Sequence, residues 1–325
     1  MNWRRPVGRR RSSLRRLLRS IGPELVSAAS DNDPTNVGTA AAVGAQTGYQ
    51  LSWVALLVAP LLGVVLMIAA QVGAVARDDL QSLTLKRYGR GVAAVLLVSV
   101  LVVNLITIAA DLQAGAAGIG LLAGIGSRWL VVPLGAALAG LLLAGKYGQV
   151  VAVLRYLLLG FATLGRHHQT VASAQDAARA LRPLAGSLAA DLFAAGLVTS
   201  AVVALPVLMA TTAHVVGAQF GWRRGLSEGI GRARGFYGVL VASVGLALAV
   251  TLANISVIGM LVAASVIGGL GTPIGLVILV RLARDPQVMG PQPISRRLAI
   301  AGWAVAVIVG GFGLLYVIGP ALGTF

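Results

Sequence analysis

The sequence predicts an all-α fold, a polytopic bundle of about nine helices crossing a membrane. Three observations lead there. Of the 325 residues, 57% are apolar and only 11% charged, and the mean hydropathy is +0.87. The apolar residues fall into long Leu/Val/Ala-rich runs, and a helix needs ~20 such residues to cross the hydrocarbon layer. Backbone polar groups in lipid must be paired within the segment, which runs of this length achieve as helices rather than as barrel strands. The third observation is charge placement, which alternates from one connection to the next.

Taken in order, the apolar segments are 22–46, 51–76, 92–113, 128–145, 147–165, 187–217, 236–256, 257–283 and 298–319. A basic tail, residues 1–20, precedes a single transmembrane domain, 21–325. Connections on one side hold Arg77, Lys86, Arg87 and Arg90, then Lys146, then Arg223, Arg224, Arg232 and Arg234, and finally Arg281, Arg284, Arg296 and Arg297. With the eight arginines of the tail, this side carries 21 of the 26 basic residues. The opposite connections hold Arg128, Arg166, Arg179 and Arg182, and Arg155 lies within a span. The positive-inside rule then puts the N-terminus in the cytoplasm and the chain in the plasma (inner) membrane.

The formal charge of +16 therefore reads as topology and contact with anionic lipid. The tail has no folded module and no interleaved aromatics beyond Trp3, so no nucleic-acid partner is expected. Glu24, Asp31 and Asp33 interrupt the apolar region that a cleaved signal peptide would need. The absence of cysteine removes disulfides, thiolate metal sites and cysteine nucleophiles. No Walker loop, GxSxG elbow or HExxH pair is present, so no enzyme and no prosthetic group are expected.

Within the first segment, AASDNDPTNVGT (28–39) is the anomaly. An aspartate at mid-membrane costs roughly 2.5–3.5 kcal/mol on insertion scales, so Asp31 and Asp33 should face a cavity or a partner. Pro34 lacks a backbone donor and disfavours helical geometry at Asp33, so the helix is expected to unwind around residues 33–36. Freed carbonyls beside a carboxylate and an amide suit a cation that sheds water. The alternative is a kinked helix whose polar side chains cap the break.

The stretch GPELVSAASDNDPTNVGTAAAVGAQTGYQLSWVALL resembles the first helix and following loop of the natural resistance-associated macrophage protein (Nramp) family of proton-coupled divalent-metal transporters, whose hallmark there is Asp-Pro-Gly-Asn. The likeness continues in NLITIAADLQAGAAG (104–118), similar to the third helix, in residues 176–222 with FYGVLVASVGLAL, similar to the eighth and ninth, and in RLARDPQVMG, similar to the exit of the tenth. The resemblance implies a LeuT-type bundle with helices one to five and six to ten as inverted repeats. It implies that Asp33 and Asn36, with Asp31 nearby, ligate a manganese- or iron-type divalent ion as substrate, and that Asp111 carries protons in symport. Two positions depart from the family: Thr35 replaces glycine, and Ala114 stands where many members have glutamate.

A larger departure follows Gly165. The first-repeat helices, 21–165, lead through an outer loop, 166–186, directly into what resembles the eighth helix, leaving 187–319 for the remaining helices. Segments matching the sixth and seventh helices are missing, which makes the expected fold an incomplete LeuT-type bundle. The family's sixth helix is the other broken helix and supplies the opposing half of the site. In ALPVLMATTAHVV, Met209 is the additional ligand a disguised sixth helix would offer, although a methionine in an apolar helix is more often a packing residue. His214 reads as a polar interhelical contact, and His167 and His168 as solvated loop residues. Arg77, Asp78 and Asp79 read as a solvated interface cluster. Gly217 with Gly221 and Gly271 with Gly275 have small-xxx-small spacing, and Pro273 is placed to kink its segment.

Two functional readings stand. One is a shortened carrier of divalent metal ions; the other is a non-transporting relative or interaction subunit that keeps the bundle without a complete ion path. Self-association would let a second copy cover the polar face left by the missing pair.

Overall fold

The structure, a computed structural model, describes residues 33–36, 39, 50–144, 189–251 and 256–318. Its regular elements are α1 (Ser52–Ala76), α2 (Leu80–Ala123), α3 (Arg128–Ala144), α4 (Ala189–Phe220), α5 (Arg234–Thr251), α6 (Val257–Arg284), the single turn α7 (Pro286–Met289) and α8 (Arg296–Ile318). Among the described residues, α1, α2, α4, α5, α6 and α8 are long and apolar enough to cross a membrane, and α3 is a shorter apolar helix. These seven match seven of the nine expected segments. Segment 147–165, most of 22–46, the basic tail and loop 166–186 lie outside the described residues.

Local chemistry sets the helix limits. Arg77 ends α1 in the left-handed region (φ 52°), its N–H donating to Gly73 O. Asp79 opens α2 by accepting from the N–H and the hydroxyl of Ser82, each at 2.8 Å, as an N-cap does. Gly124 (φ 67°) closes it. Ser256 caps α6, accepting from Gly259 N at 3.1 Å, and Asp285 with Pro286 stops α6 and starts α7.

The third segment, expected from residue 92, is helical from just after Gly89, and a further helical stretch beginning at Leu80 precedes it, so Lys86 and Arg87 are helical as well. The Asp79 cap lets a helix form at once after the turn. At 1.5 Å per residue the 44 residues of α2 would extend about 66 Å, more than twice the hydrocarbon thickness. Gly89 (φ 80°, ψ −178°) interrupts it in backbone geometry that favours glycine.

The cluster at residues 77–79 keeps Arg77 exposed, while Asp78 and Asp79 are half-buried in ion pairs. Arg224, on the α4–α5 connection, donates to Asp79 Oδ2 at 2.8 Å and to Ser82 Oγ at 2.9 Å. Lys86 donates to Asp78 at 2.6 Å. Burial raises the Asp78 carboxyl, but the Lys86 bond, the Asp79 N–H and the charges of Lys86 and Arg224 together hold it below its ordinary value. Close by, Gln81 Nε2 donates to Ala93 O at 2.8 Å and to Gln219 Oε1 at 2.6 Å. The α1–α2 turn is thereby tied to the end of α4. Local sequence pattern does not reveal these contacts, because the partners stand about 140 residues away.

The helix α2 is central, packing on α3, α4, α5 and α6. Against α4 the approach is closest where side chains are smallest. A methyl at Gly115 would lie 2.8 Å from Ala201 Cβ, and one at Gly118 would lie 2.7 Å from Ala194 O. Small residues permit such contact where lipid offers no hydrophobic drive between helices. Gly271 plays the same part between α6 and α2: a methyl there would meet Val103 at 2.6 Å, and Ser99 Oγ donates to Gly271 O at 3.1 Å. Pro273 sits within a helix that continues past it. One apolar core joins α2 through α6 around Leu112, Leu205 and Phe236. A second joins α1, α6, α7 and α8 around Ile68, Leu282 and Met289. Only 11% of the apolar window of α1 is buried, so Leu56, Leu62, Leu66 and Met67 form a lipid-facing surface.

Candidate metal site

The polar turn in the first apolar segment is ordered differently from the unwound stretch expected. Asp33 is non-helical, but residues 34–36 are already helical. Asn36 N donates to Asp33 Oδ1 at 2.8 Å, the bond an N-cap makes to the third residue of its helix. Proline is well placed at the first helical position, where its missing N–H costs nothing. Asp-Pro thus starts a helix instead of extending an unwound stretch to Asn36. Asp33 is half-buried and Asn36 exposed, while Pro34 and Thr35 are buried. Asp31 lies outside the described residues.

This turn docks against α2. Thr35 Oγ1 donates to Asp111 Oδ1 at 2.8 Å, with both side chains buried. Asp111 is fully buried, and its second oxygen, Oδ2, has no hydrogen-bond partner among the described residues. Asp33 lies two residues before Thr35, the residue that bonds Asp111. Two carboxylates therefore face one region, and an uncompensated charge there is costly. Thr39 shares a 2.6 Å hydrogen bond with Ser265, tying the same first segment to α6.

Further polar contacts continue along α2. Asn104 donates to Thr212 Oγ1 on α4 at 3.0 Å, and Thr107 bonds back to Val103 O at 2.9 Å. Asn104, Thr107 and Asp111 follow the i, i+3, i+7 spacing of one helix face. That spacing was available in the sequence and was the signal that could have marked this face. The two helices run antiparallel, with Gly115 beside Ala201 and Asn104 bonded to Thr212. The same register sets Met209 beside Thr107, about one helical turn from Asp111.

Met209 is 1% exposed and belongs to the core. The helix α4 passes Pro206 without interruption, so residues 206–209 do not form a second unwound segment. Ala114, in place of a second acid, is buried apolar packing. His214 packs edge-on to Phe236, ring centroids 6.5 Å apart. His167 and His168 lie outside the described residues. Among the described residues, no group of three His, Cys, Asp or Glu side chains converges. A cation here would rely on Asp33, Asn36 and neutral oxygens.

Crystal structures of the Eremococcus coleocola manganese transporter are similar in fold. The one in complex with an aromatic bis-isothiourea substituted compound is 17% identical, with 96% of this chain and 88% of that chain covered and a TM-score of 0.72. A histidine-to-alanine variant gives 16%, 96%, 88% and 0.67. A glutamate-to-alanine variant gives 16%, 97%, 89% and 0.68. No curated protein matches. The model of the family described as natural resistance-associated macrophage protein-like matches residues 24–164 and 156–319. The two matched blocks overlap at residues 156–164, within the fifth apolar segment (147–165), ahead of the segment resembling the family's eighth helix. With nearly the whole chain matched and the fold shared, this integral membrane protein belongs to the Nramp family, whose members are transporters rather than enzymes, and at 325 residues it is shorter than the full transporter.

Proposed function

We propose that the protein carries a divalent metal ion of the manganese/iron type across the plasma (inner) membrane, with its N-terminus in the cytoplasm. The observation that carries this reading is the docking of the Asp33–Pro34–Thr35–Asn36 turn on Asp111 through the buried Thr35 hydroxyl. The turn holds a half-buried carboxylate and an exposed amide beside a buried carboxylate on α2. The solved structures of similar fold, described as those of a manganese transporter, point to the same class of substrate.

In this reading Asp33 is the charged ligand, Asn36 contributes its side-chain oxygen, and Asp31 adds charge to the approach. A cation beside Asp33 offsets the repulsion between the two carboxylates. A proton on Asp111 offsets it as well, so ion and proton act on one electrostatic balance. That is the physical basis for symport here. Ligands from one side only leave the ion largely hydrated, so binding is weak. Met209 would add a soft ligand from the α4 side only on leaving the apolar core in which it is packed.

The second reading, a non-transporting relative or interaction subunit, is favoured by the two-block family match and by the unbroken course of α4 through Pro206. Uptake separates the two. Purified protein in liposomes should accumulate manganese ions, and Asp33→Ala should reduce uptake to the level of empty liposomes. Equal uptake by wild-type and empty liposomes would establish the second reading.

A further inference from the structure

Two cavities meet away from the Asp33 region, on the face where α2 and α6 approach α8. The first, about 400 Å³, is a slot walled by Val92, Pro273, Ile274 and Val277, with Tyr88 and Arg281 at its mouth. The second, about 440 Å³, shares Tyr88 and Arg281 and adds Arg87, Arg284 and Arg296, with Asp285 and Trp303 at its edge. Four arginines thus stand against one aspartate where an apolar slot opens. Arg87 is committed to Asp285 by an ion pair and lies 5.7 Å from the centroid of the Tyr88 ring. Arg284 donates to Ile294 O at 3.2 Å. Arg281 and Arg296 are exposed and make no ion pair among the described residues.

Depth decides what fits. Between Pro273 and Arg281, α6 rises about 12 Å at 1.5 Å per residue, so the slot runs from the charged end of the helix into the hydrocarbon region. Gly89, at φ 80°, turns the chain between Tyr88 and Val92. One helix thereby lines both the interfacial mouth and the membrane-facing slot. We infer that this groove between α2, α6 and α8 binds an anionic phospholipid, one acyl chain in the slot and the headgroup phosphate on Arg281 and Arg296.

The positive-inside rule accounts for arginines at this end of the helices but not for the slot they open onto. A zwitterionic lipid would fill the slot, yet its headgroup brings its own cation and gains little from two unpaired arginines. Inorganic phosphate would meet the arginines but leave the slot empty. Basic pockets between spans on the cytoplasmic side have the chemistry that anionic headgroups select.

The test is native mass spectrometry of the purified full chain after exchange with vesicles of phosphatidylcholine alone or mixed with phosphatidylglycerol. The wild type should retain phosphatidylglycerol in preference to phosphatidylcholine. Arg281→Gln with Arg296→Gln, both at exposed positions, should retain it about thirtyfold more weakly. Val277→Trp, which fills the slot and leaves the arginines in place, should also lower retention, and millimolar inorganic phosphate should not displace the lipid. Equal retention of both lipids, unchanged retention in the double variant, or displacement by phosphate alone would overturn the inference.

Discussion

Thr35 is the residue at which sequence and structure say different things. Read as a replacement for glycine, it means only lost backbone freedom; in the fold its hydroxyl is the donor to Asp111 Oδ1. The pair is separated by 76 residues, so local pattern could not reveal it. Asp33, Asn36 and Asp111 were legible because charge and amide groups are costly in an apolar segment. The capping alternative was legible too, and Asp33 does use an oxygen to cap the helix begun by Pro34. Thr35→Val keeps the shape and removes the hydroxyl donor to the buried Asp111 carboxylate. The loss should be about 1–3 kcal/mol of stability, read as a lower unfolding midpoint in detergent, with Thr35→Ser restoring most of it. An unchanged midpoint in Thr35→Val would mean that the hydroxyl does not hold Asp111.

Among the elements, the α2–α4 pair most directly positions the site, since its register places Asp111 and Met209 about one turn apart. The pairing depends on glycine at its closest points. Gly118→Val would drive a side chain into Ala194 O and Val198, 2.7 and 2.9 Å from the first added carbon, and overpacking of this kind costs about 1–3 kcal/mol. Gly140 on α3 has nothing within 4 Å of such a carbon, so Gly140→Ala should be near neutral. Comparable melting of the two variants would contradict the packing described. The existence of most helices was legible from apolar run length alone. The helical stretch from Leu80 to the Gly89 kink was not, because lysine and arginine there resemble a loop until the Asp79 cap is recognised. The Arg224–Asp79 and Lys86–Asp78 pairs were hidden for a related reason: charges at a membrane end look alike whether they meet solvent or one another.

For the molecule as a whole, charge alternation and family likeness agree on a bundle of the Nramp fold, and removing two helices preserves the alternation. The structure adds that α4, the segment in which a disguised sixth helix had to be sought, is unbroken at Pro206. Among the described residues, a site built from the Asp33 turn therefore has no second broken helix opposite it at residues 206–209. The proposed ion site and the phospholipid groove use different residues, so either can fail without the other. The Asp33 turn is the proposed place of divalent-ion binding. Isothermal titration of manganese ions into the purified protein in detergent tests it most directly: the wild type should show weak saturable binding, Asn36→Ala weaker binding still, and Asp33→Ala none. The same isotherm in the wild type and Asp33→Ala would contradict the account.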